Sequence, residues 1–178
     1  MITEREIKQA KKNFDNYIKE GLLKKDSNET AKQMYIKNAE NSLITAQKLK
    51  SLEDENYSPD LWIIVSSYYS MFYISNAVLL NLGYKVGDKI VHKITSDCLI
   101  TLVRDKLKKE LFSDYEEIEQ EAMEIINARG NEIIYSFEQE REKRSKFQYQ
   151  MSETIKKSKA KTSLERAKTF VFEMKKLL

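Results

Sequence analysis

The chain has 178 residues, a third of them are charged, and the formal net charge is only +3. Because the charges nearly cancel, the overall field neither requires nor excludes a nucleic-acid partner, and any binding face must come from local clustering. One cysteine and one histidine are too few for a zinc cage, so we expect neither a metal nor another cofactor. One proline and four glycines leave strong helix formers in the majority, which predicts an all-α protein with a single domain over residues 1–178.

The N-terminal part of the chain predicts two amphipathic helices. From Thr3 onward, apolar residues recur at steps of three and four, and we interpret residues 1–25 as a helical extension that precedes the core bundle of residues 30–178. Asp26 and Glu29 have the spacing of a capping box, which predicts that a second helix begins there.

The stretch from Leu61 to Tyr84 contains no charged residue and predicts the helix around which the bundle is organised. Its apolar residues reach almost all the way round a helix, which is typical of a helix covered on every side. Ser58 is placed to cap the first turn, Pro59 suits the first helical position, and Gly83 suits a left-handed end. We expect the large aromatic side chains of this helix in the structural core: Trp62, Tyr68, Tyr69 and Phe72.

The same stretch is long enough to cross a bilayer. Its serine and asparagine side chains, however, carry polar atoms that lipid cannot satisfy, and its tyrosines lie in the middle of the span. We therefore predict a buried core helix and no membrane partner. The chain lacks an apolar N-terminal leader, and its one cysteine, Cys98, lies in an apolar stretch that predicts core packing, so we expect a cytoplasmic protein.

The sequence predicts no strands, and GYKVGDK is interpreted as a loop. A fourth helix begins near Ile90 and carries His92 in its first turn, where the helix dipole favours a neutral imidazole. A lone histidine at a helix start is more often a hydrogen-bonded structural residue than a catalyst.

The last part of the chain predicts a long helix and a final one. Ser113 and Glu116 have the spacing of a capping box at the start of the long helix, and Gly130 either kinks that helix or splits it. Thr162 and Glu165 predict the start of the final helix in the same way.

One segment between these two helices lacks the amphipathic pattern of the other helices, because basic and aromatic residues are interleaved in it. On a helix Arg141, Arg144 and Gln148 lie along one face, with Tyr149 a little round from it, and Lys146 adds a further charge. Two guanidinium groups and two neutral polar groups would then converge on one phosphate. The alternative is a solvated helix end, where the cations complement the helix dipole.

Several strings together resemble one family. SSYYSMFYISNAVLLNLGY is followed by a histidine in VHKI, then by REKRSKFQY, and then by a last helix of the form ERAKTFVFEM. This order is similar to that of the HEPN family (higher eukaryotes and prokaryotes nucleotide-binding), and closest to its small stand-alone branch with a YYxMF central helix. The resemblance covers roughly residues 30–178.

The resemblance implies an up-and-down bundle of four or five core helices, often a homodimer with a charged cleft, and frequent pairing with a small nucleotidyltransferase as a toxin–antitoxin couple. In many members an arginine and a histidine four to six residues later cleave RNA without a metal. Carried over to this chain, the arginine is Arg144, whereas the histidine position holds Tyr149. Tyrosine has an unperturbed pKa near 10 and does not replace imidazole near neutral pH without a large shift.

Two functional hypotheses follow from these residues. The first is a HEPN-like binding module, dimeric, that presents Arg141, Arg144, Lys146, Gln148 and Tyr149 to a nucleotide, RNA or a partner nucleotidyltransferase. The alternative is a metal-independent ribonuclease toxin in which Arg144 and Tyr149 are the catalytic residues. A third interpretation is a scaffold whose partner binds the first helix.

Overall fold

The computed structural model describes residues 3–138 and 153–178, and the side chains of residues 3–127 and 156–178. Within these ranges it confirms an all-α bundle with an N-terminal helix. The helices and strands are α1 (Glu4–Lys19), β1 (Leu23–Lys25), α2 (Glu29–Ser51), α3 (Asp60–Asn81), β2 (Tyr84–Val86), α4 (Val91–Leu102), a short 3-10 helix (Arg104–Lys106), α5 (Lys109–Glu138) and α6 (Glu153–Lys175).

Helix α3 is the centre of the bundle, as its uncharged sequence predicts. It packs against α2, α4, α5 and α6, and it ends where Gly83 adopts a φ of +86°, a backbone conformation that glycine adopts without a steric penalty. The helix is long and apolar enough to cross a membrane, but 83% of its most apolar window is buried inside the bundle. This burial is typical of a core helix in a soluble protein.

The expectation for Trp62 is wrong, whereas Tyr68 and Phe72 are buried as predicted. The Trp62 side chain is 54% exposed, compared with 0% for Tyr68 and 8% for Phe72, and Tyr69 is half-buried. The reason is that α3 is not covered all round. Residues Trp62, Ser66, Tyr69 and Tyr73, at steps of four, three and four, form one stripe along α3 that is exposed or half-buried.

The N-terminal helix is tied to α4 by a buried carboxylate. Asp97 of α4, only 2% exposed, accepts hydrogen bonds from Oη of Tyr17 at 2.8 Å and from Nδ2 of Asn13 at 3.0 Å. It also pairs with Nζ of Lys93 at 2.9 Å. Around these contacts α1, α4 and the two strands bury a second, smaller hydrophobic cluster that includes Cys98.

The prediction of no strands is wrong, because two short segments form an antiparallel pair. Leu23 lies opposite Val86, and Lys25 opposite Tyr84. Leu23 and Val86 are buried, so each strand adds one side chain to the core. Three residues per strand are too few to give a recognisable alternation in sequence.

Two predicted helix starts, those of α2 and of the central helix α3, are shifted by one or two residues. Asn28, not Asp26, caps α2, and its Oδ1 accepts from the N–H of Ala31 at 2.8 Å. Asp26 donates its own N–H to the carbonyl of Gly83 and therefore still belongs to the strand pair. Ser58 does not cap α3, and Pro59 is not its first helical residue: Pro59 holds the N-cap position without a side-chain capping bond, and the helix begins at Asp60. The Ser58 hydroxyl donates to Oδ2 of Asp60 at 2.6 Å.

The last two helices both begin earlier than their predicted caps. Helix α5 starts at Lys109, one turn before Ser113, and runs without interruption through Gly130. Helix α6 starts at Glu153, and Thr162 lies inside it, donating its hydroxyl to the carbonyl of Ser158. Burial of residues ahead of the predicted caps, among them Phe112 before Ser113 and Ala160 before Thr162, extends both helices toward their N-termini.

Ion pairs fix α5 and α6 side by side in opposite directions. Arg166 pairs with Asp114 and Glu117 at 2.8 and 2.7 Å, while Lys159, earlier in α6, pairs with Glu121, later in α5, at 2.6 Å. Lys159 and Arg166 of α6 are therefore already engaged by carboxylates of α5.

Candidate functional site

The basic segment predicted from sequence lies outside the described residues. It contains Arg141, Arg144, Lys146, Gln148 and Tyr149. Their assignment to nucleotide or RNA binding, and of Arg144 and Tyr149 to catalysis, therefore stays a prediction. The described residues place a different set of polar and aromatic side chains together, on the face formed by α2, α3 and the start of α4.

A groove between α2 and α3, which we call the polar groove, has a volume of about 460 Å³. Helix α2 contributes one wall through Asn38, Asn41, Ser42 and Thr45, and α3 contributes the other through Ser66, Tyr69 and Tyr73. None of these seven residues is charged. The groove therefore offers amides, hydroxyls and aromatic surface, but no formal charge from its lining.

The sequence places these two walls by helical periodicity. On α2 the four polar residues lie at steps of three, one and three, so they share one face. The small core residues Ala39 and Ala46 lie on another face and are fully buried, which lets α2 approach α3 closely. The wall on α3 is part of the same stripe that begins at the exposed Trp62.

Aromatic rings continue from the polar groove to the start of α4 in what we call the aromatic row. Tyr35 stacks on Tyr73 with ring centroids 6.2 Å apart, Tyr73 lies 5.8 Å from Tyr69, and Tyr69 lies 6.3 Å from His92. Tyr35, Tyr69, Tyr73 and His92 are all half-buried. Rings arranged in this way present a continuous aromatic edge that is partly accessible to solvent.

Burial favours the neutral form of two phenols of the aromatic row, those of Tyr35 and Tyr69. It raises the pKa of Tyr35 and of Tyr69, and the neighbouring Tyr73 adds to both shifts. These two tyrosines therefore remain hydrogen-bond donors throughout the physiological range.

At the end of the row, His92 is hydrogen-bonded to the centre of the bundle. Its Nδ1 lies 2.6 Å from Oη of Tyr68 on α3, and the same Oη lies 3.3 Å from Oε1 of Glu119 on α5. Phe72 packs on the imidazole with centroids 4.7 Å apart. Three helices thus meet at one phenol, which joins an imidazole to a carboxyl group.

The three groups around Tyr68 are all shifted by burial. Desolvation raises the pKa of the Glu119 carboxyl to about 7 and lowers the pKa of His92. It also raises the pKa of Tyr115, which lies one turn before Glu119 on α5. The buried Tyr115 hydroxyl makes no hydrogen bond of good geometry with a described residue, and the group that it interacts with is the Tyr68 hydroxyl. A neutral His92 agrees with the expectation from its position in the first turn of α4.

The backbone that leads into α4 is strained. Ile90, the residue that precedes α4, has a φ of +44°, a left-handed conformation that is rare for a β-branched residue and costs about 1–2 kcal/mol. Its side chain is 58% exposed, so little burial compensates for this cost. The strained residue lies two positions before His92 in the chain.

A metal site and a reactive cysteine find no support among the described residues. Residues 3–127 and 156–178 contain no group of three metal-ligating side chains. Cys98 is fully buried, and desolvation raises the pKa of its thiol to about 12, so the predicted core role of this cysteine is confirmed.

Sequence reasoning missed the polar groove and the contact between His92 and Tyr68. A signal for the groove was present, because Asn38, Asn41, Ser42 and Thr45 are neutral polar residues of α2 at one-face spacing. No sequence signal joins His92 to Tyr68 and Glu119, since 24 and 51 residues separate the bonded pairs.

Comparisons with protein-family models, curated proteins and solved structures found no match to this chain.

Proposed function

We propose that this protein is a cytoplasmic nucleotide- or RNA-binding module in which a base occupies the polar groove. The observation that carries the proposal is the groove itself, an uncharged cleft with amides on one wall and tyrosine rings on the other. Its volume lies within the range of about 300–1,000 Å³ that is usual for ligand pockets.

The lining chemistry matches a nucleobase better than a phosphate or a peptide carboxylate. Asparagine side chains carry both a donor and an acceptor, and they pair with the complementary edges of bases. Aromatic rings stack on exposed bases, each stacked base contributing about 1–3 kcal/mol. Asn38 and Asn41 supply the first interaction, and Tyr69 and Tyr73 supply the second.

Phosphate recognition is assigned in this proposal to the basic segment. Arg141 and Arg144 offer bidentate contacts to phosphate oxygens, and the HEPN resemblance implies a ligand-binding role at this position. Arg144→Ala should then weaken binding of a nucleotide while the same nucleoside without its phosphate binds equally well to both proteins.

The chain contains a suitable reporter for this binding. Trp62 is its only tryptophan, it is 54% exposed, and it lies one turn before Ser66 on the stripe that forms the α3 wall. We expect nucleoside monophosphates or short single-stranded RNA to change the fluorescence of Trp62 in a saturable way.

The matched variants test whether the groove is the site. Asn41→Ala removes one amide from the groove, whereas Gln47→Ala removes an exposed amide from the opposite face of α2. We expect Asn41→Ala to weaken binding about tenfold, as loss of one hydrogen-bonded pair predicts, and Gln47→Ala to bind like the wild type. Equal affinities in all three proteins, or no fluorescence change with any nucleotide, would refute the groove as the site.

The resemblance extends the proposal to partners. We propose a homodimer that pairs with a small nucleotidyltransferase. Sedimentation of the purified protein tests the dimer, and co-purification from the native host tests the partner. RNA incubated with the protein in EDTA distinguishes binding from cleavage. RNA cleavage that is lost in Arg144→Ala would favour the ribonuclease hypothesis over the binding module.

A further inference from the structure

The hydroxyl of Tyr68 has one proton and two neighbours that can accept it. Nδ1 of His92 lies 2.6 Å from Oη, and Oε1 of Glu119 lies 3.3 Å from it. One proton serves only one of these two contacts. For both to be hydrogen bonds, one of the neighbours must donate to Oη.

Two arrangements with a neutral imidazole satisfy both contacts. When Glu119 is protonated, its O–H donates to Oη, the Tyr68 O–H donates to Nδ1, and the neutral imidazole carries its proton on Nε2. When Glu119 is ionised, the Tyr68 O–H donates to the carboxylate, and Nδ1–H donates to Oη. The imidazole then has a bare Nε2.

The two arrangements differ by one proton. In passing from the first to the second, the Glu119 proton moves to Tyr68, the Tyr68 proton moves to Nδ1, and the Nε2 proton leaves to solvent. Every hydrogen bond is kept, although each reverses its direction. The only change outside the chain of bonds is at Nε2.

We propose that Glu119, Tyr68 and His92 form a proton relay, in which ionisation of Glu119 converts Nε2 of His92 from a hydrogen-bond donor into an acceptor. His92 is half-buried at the end of the aromatic row, and no described residue forms a hydrogen bond with its Nε2. The relay therefore changes the polar character of the aromatic row without moving its rings.

The groups that face Glu119 place this conversion near neutral pH. Burial raises the pKa of Glu119 to about 7, the Tyr68 hydrogen bond and Lys93 of α4 oppose the shift, and Glu116 and Asp97 add to it. Tyr115, one turn away on α5, also interacts with the Tyr68 hydroxyl and with Glu119, and it stays neutral because burial raises its pKa. From α6, Arg166 and Lys159 face α5, and they are paired with other carboxylates.

A single-histidine chain makes the test direct. In protein labelled with ¹⁵N-histidine, long-range ¹H–¹⁵N correlations give one set of imidazole signals, from His92. We expect the Nε2–H tautomer at about pH 6 and the Nδ1–H tautomer at about pH 8, with the change centred near neutral pH. A wild-type imidazole that keeps one neutral tautomer across this range would overturn the relay.

Three variants separate the relay from an ordinary histidine titration. Tyr68→Phe removes only the bridging oxygen, and Glu119→Gln removes the ionisation, so we expect a tautomer that does not depend on pH in either protein. Glu124→Gln changes an exposed carboxylate of the same helix and should keep the wild-type response. Persistence of the tautomer change in Tyr68→Phe would also overturn the proposal.

The relay does not depend on the proposed ligand, because the measurement uses the free protein. If a base also binds the polar groove, its affinity would acquire a pH dependence that is lost in Tyr68→Phe. Failure of nucleotide binding with an intact tautomer change would refute the proposed function and leave the relay standing.

Discussion

Two carboxylates of this bundle are each bonded to a buried tyrosine, and they differ in how many donors surround them. Asp97 accepts hydrogen bonds from the Tyr17 phenol, the Asn13 amide and the Lys93 ammonium group. Glu119 contacts only the Tyr68 hydroxyl, at 3.3 Å, and that hydroxyl also contacts His92. The number of donors therefore separates a carboxylate that ties two helices together from one that titrates near neutral pH.

The difference shows how one chain uses similar groups for structure and for chemistry. Hydrogen bonds to the charged form offset the desolvation of a buried carboxylate, whereas a carboxyl with too few donors keeps its proton. Asp97 is surrounded by hydrogen-bond donors and joins α1 to α4. Glu119 has fewer donors around it, and it lies next to the face that carries the polar groove and the aromatic row.

Removal of Asp97 should have the largest effect. Asp97→Ala leaves the Tyr17 hydroxyl buried without its acceptor and the Lys93 charge without its partner, so we expect a loss of about 3 kcal/mol in the free energy of unfolding. Urea denaturation measures it. Asp105→Ala, which alters a carboxylate whose side chain is 87% exposed, is the control and should change stability by less than about 0.5 kcal/mol.

Removal of a single donor should have a smaller effect at Asp97 than removal of the carboxylate. Tyr17→Phe deletes one of three hydrogen bonds to a charged group, and we expect a loss of about 1.5 kcal/mol. Glu119→Gln replaces a carboxyl that is able to keep its proton by an amide that can still donate to Oη of Tyr68, so its loss at about pH 6 should be smaller. Equal losses in the two variants, measured by denaturation, would contradict the distinction between the regions.

Relief of the strained backbone before His92 should stabilise the protein. Ile90→Gly places at φ +44° a residue that tolerates the left-handed region, and we expect a gain of about 1 kcal/mol in the free energy of unfolding. Lys89→Gly alters the neighbouring residue, which has no positive φ, and should give no gain. A loss of stability in Ile90→Gly would show that the Ile90 side chain matters more than its backbone conformation.

The last effect concerns Glu119, and its size depends on pH. The pKa of this group is about 7 in the folded protein against 4.5 for an ordinary glutamate. Between these values the folded state binds more protons than the unfolded state, so wild-type stability falls as pH rises through this window and levels off above it.

Glu119→Gln has no such titration. The stability of the wild type relative to this variant should therefore decline from about pH 4.5 to about pH 7, as measured by denaturation at several pH values. Glu124→Gln should track the wild type at every pH. Parallel curves for the wild type and Glu119→Gln would show that the carboxyl ionises normally in the folded protein.

Much of the fold follows from local sequence. The uncharged stretch from Leu61 to Tyr84 predicts the central helix, because apolar residues on nearly every side of a helix need cover from neighbouring helices, and Gly83 marks its end. Capping residues were less reliable guides. Ser113 and Thr162 have cap spacing, yet both lie inside longer helices, since burial of Phe112 and Ala160 outweighs a single capping bond.

The candidate site was less accessible from sequence. Trp62 has the composition of a core residue, and only the position of α2 along one side of α3 leaves its stripe uncovered. The segment with Arg144 and Tyr149 stood out in sequence because its composition differs from that of its neighbours. The relay did not stand out, because a tyrosine, a histidine and a glutamate on three helices share no local pattern.

The sequence by itself determined that this protein is a helical bundle around one uncharged helix, because helical periodicity and hydrophobicity act over a few residues at a time. Only the tertiary structure decided which stripe of that helix stays open and which phenol lies between His92 and Glu119. Those features depend on how separate helices pack, and burial gives a carboxyl or an imidazole its unusual pKa only after that packing has removed water from around it.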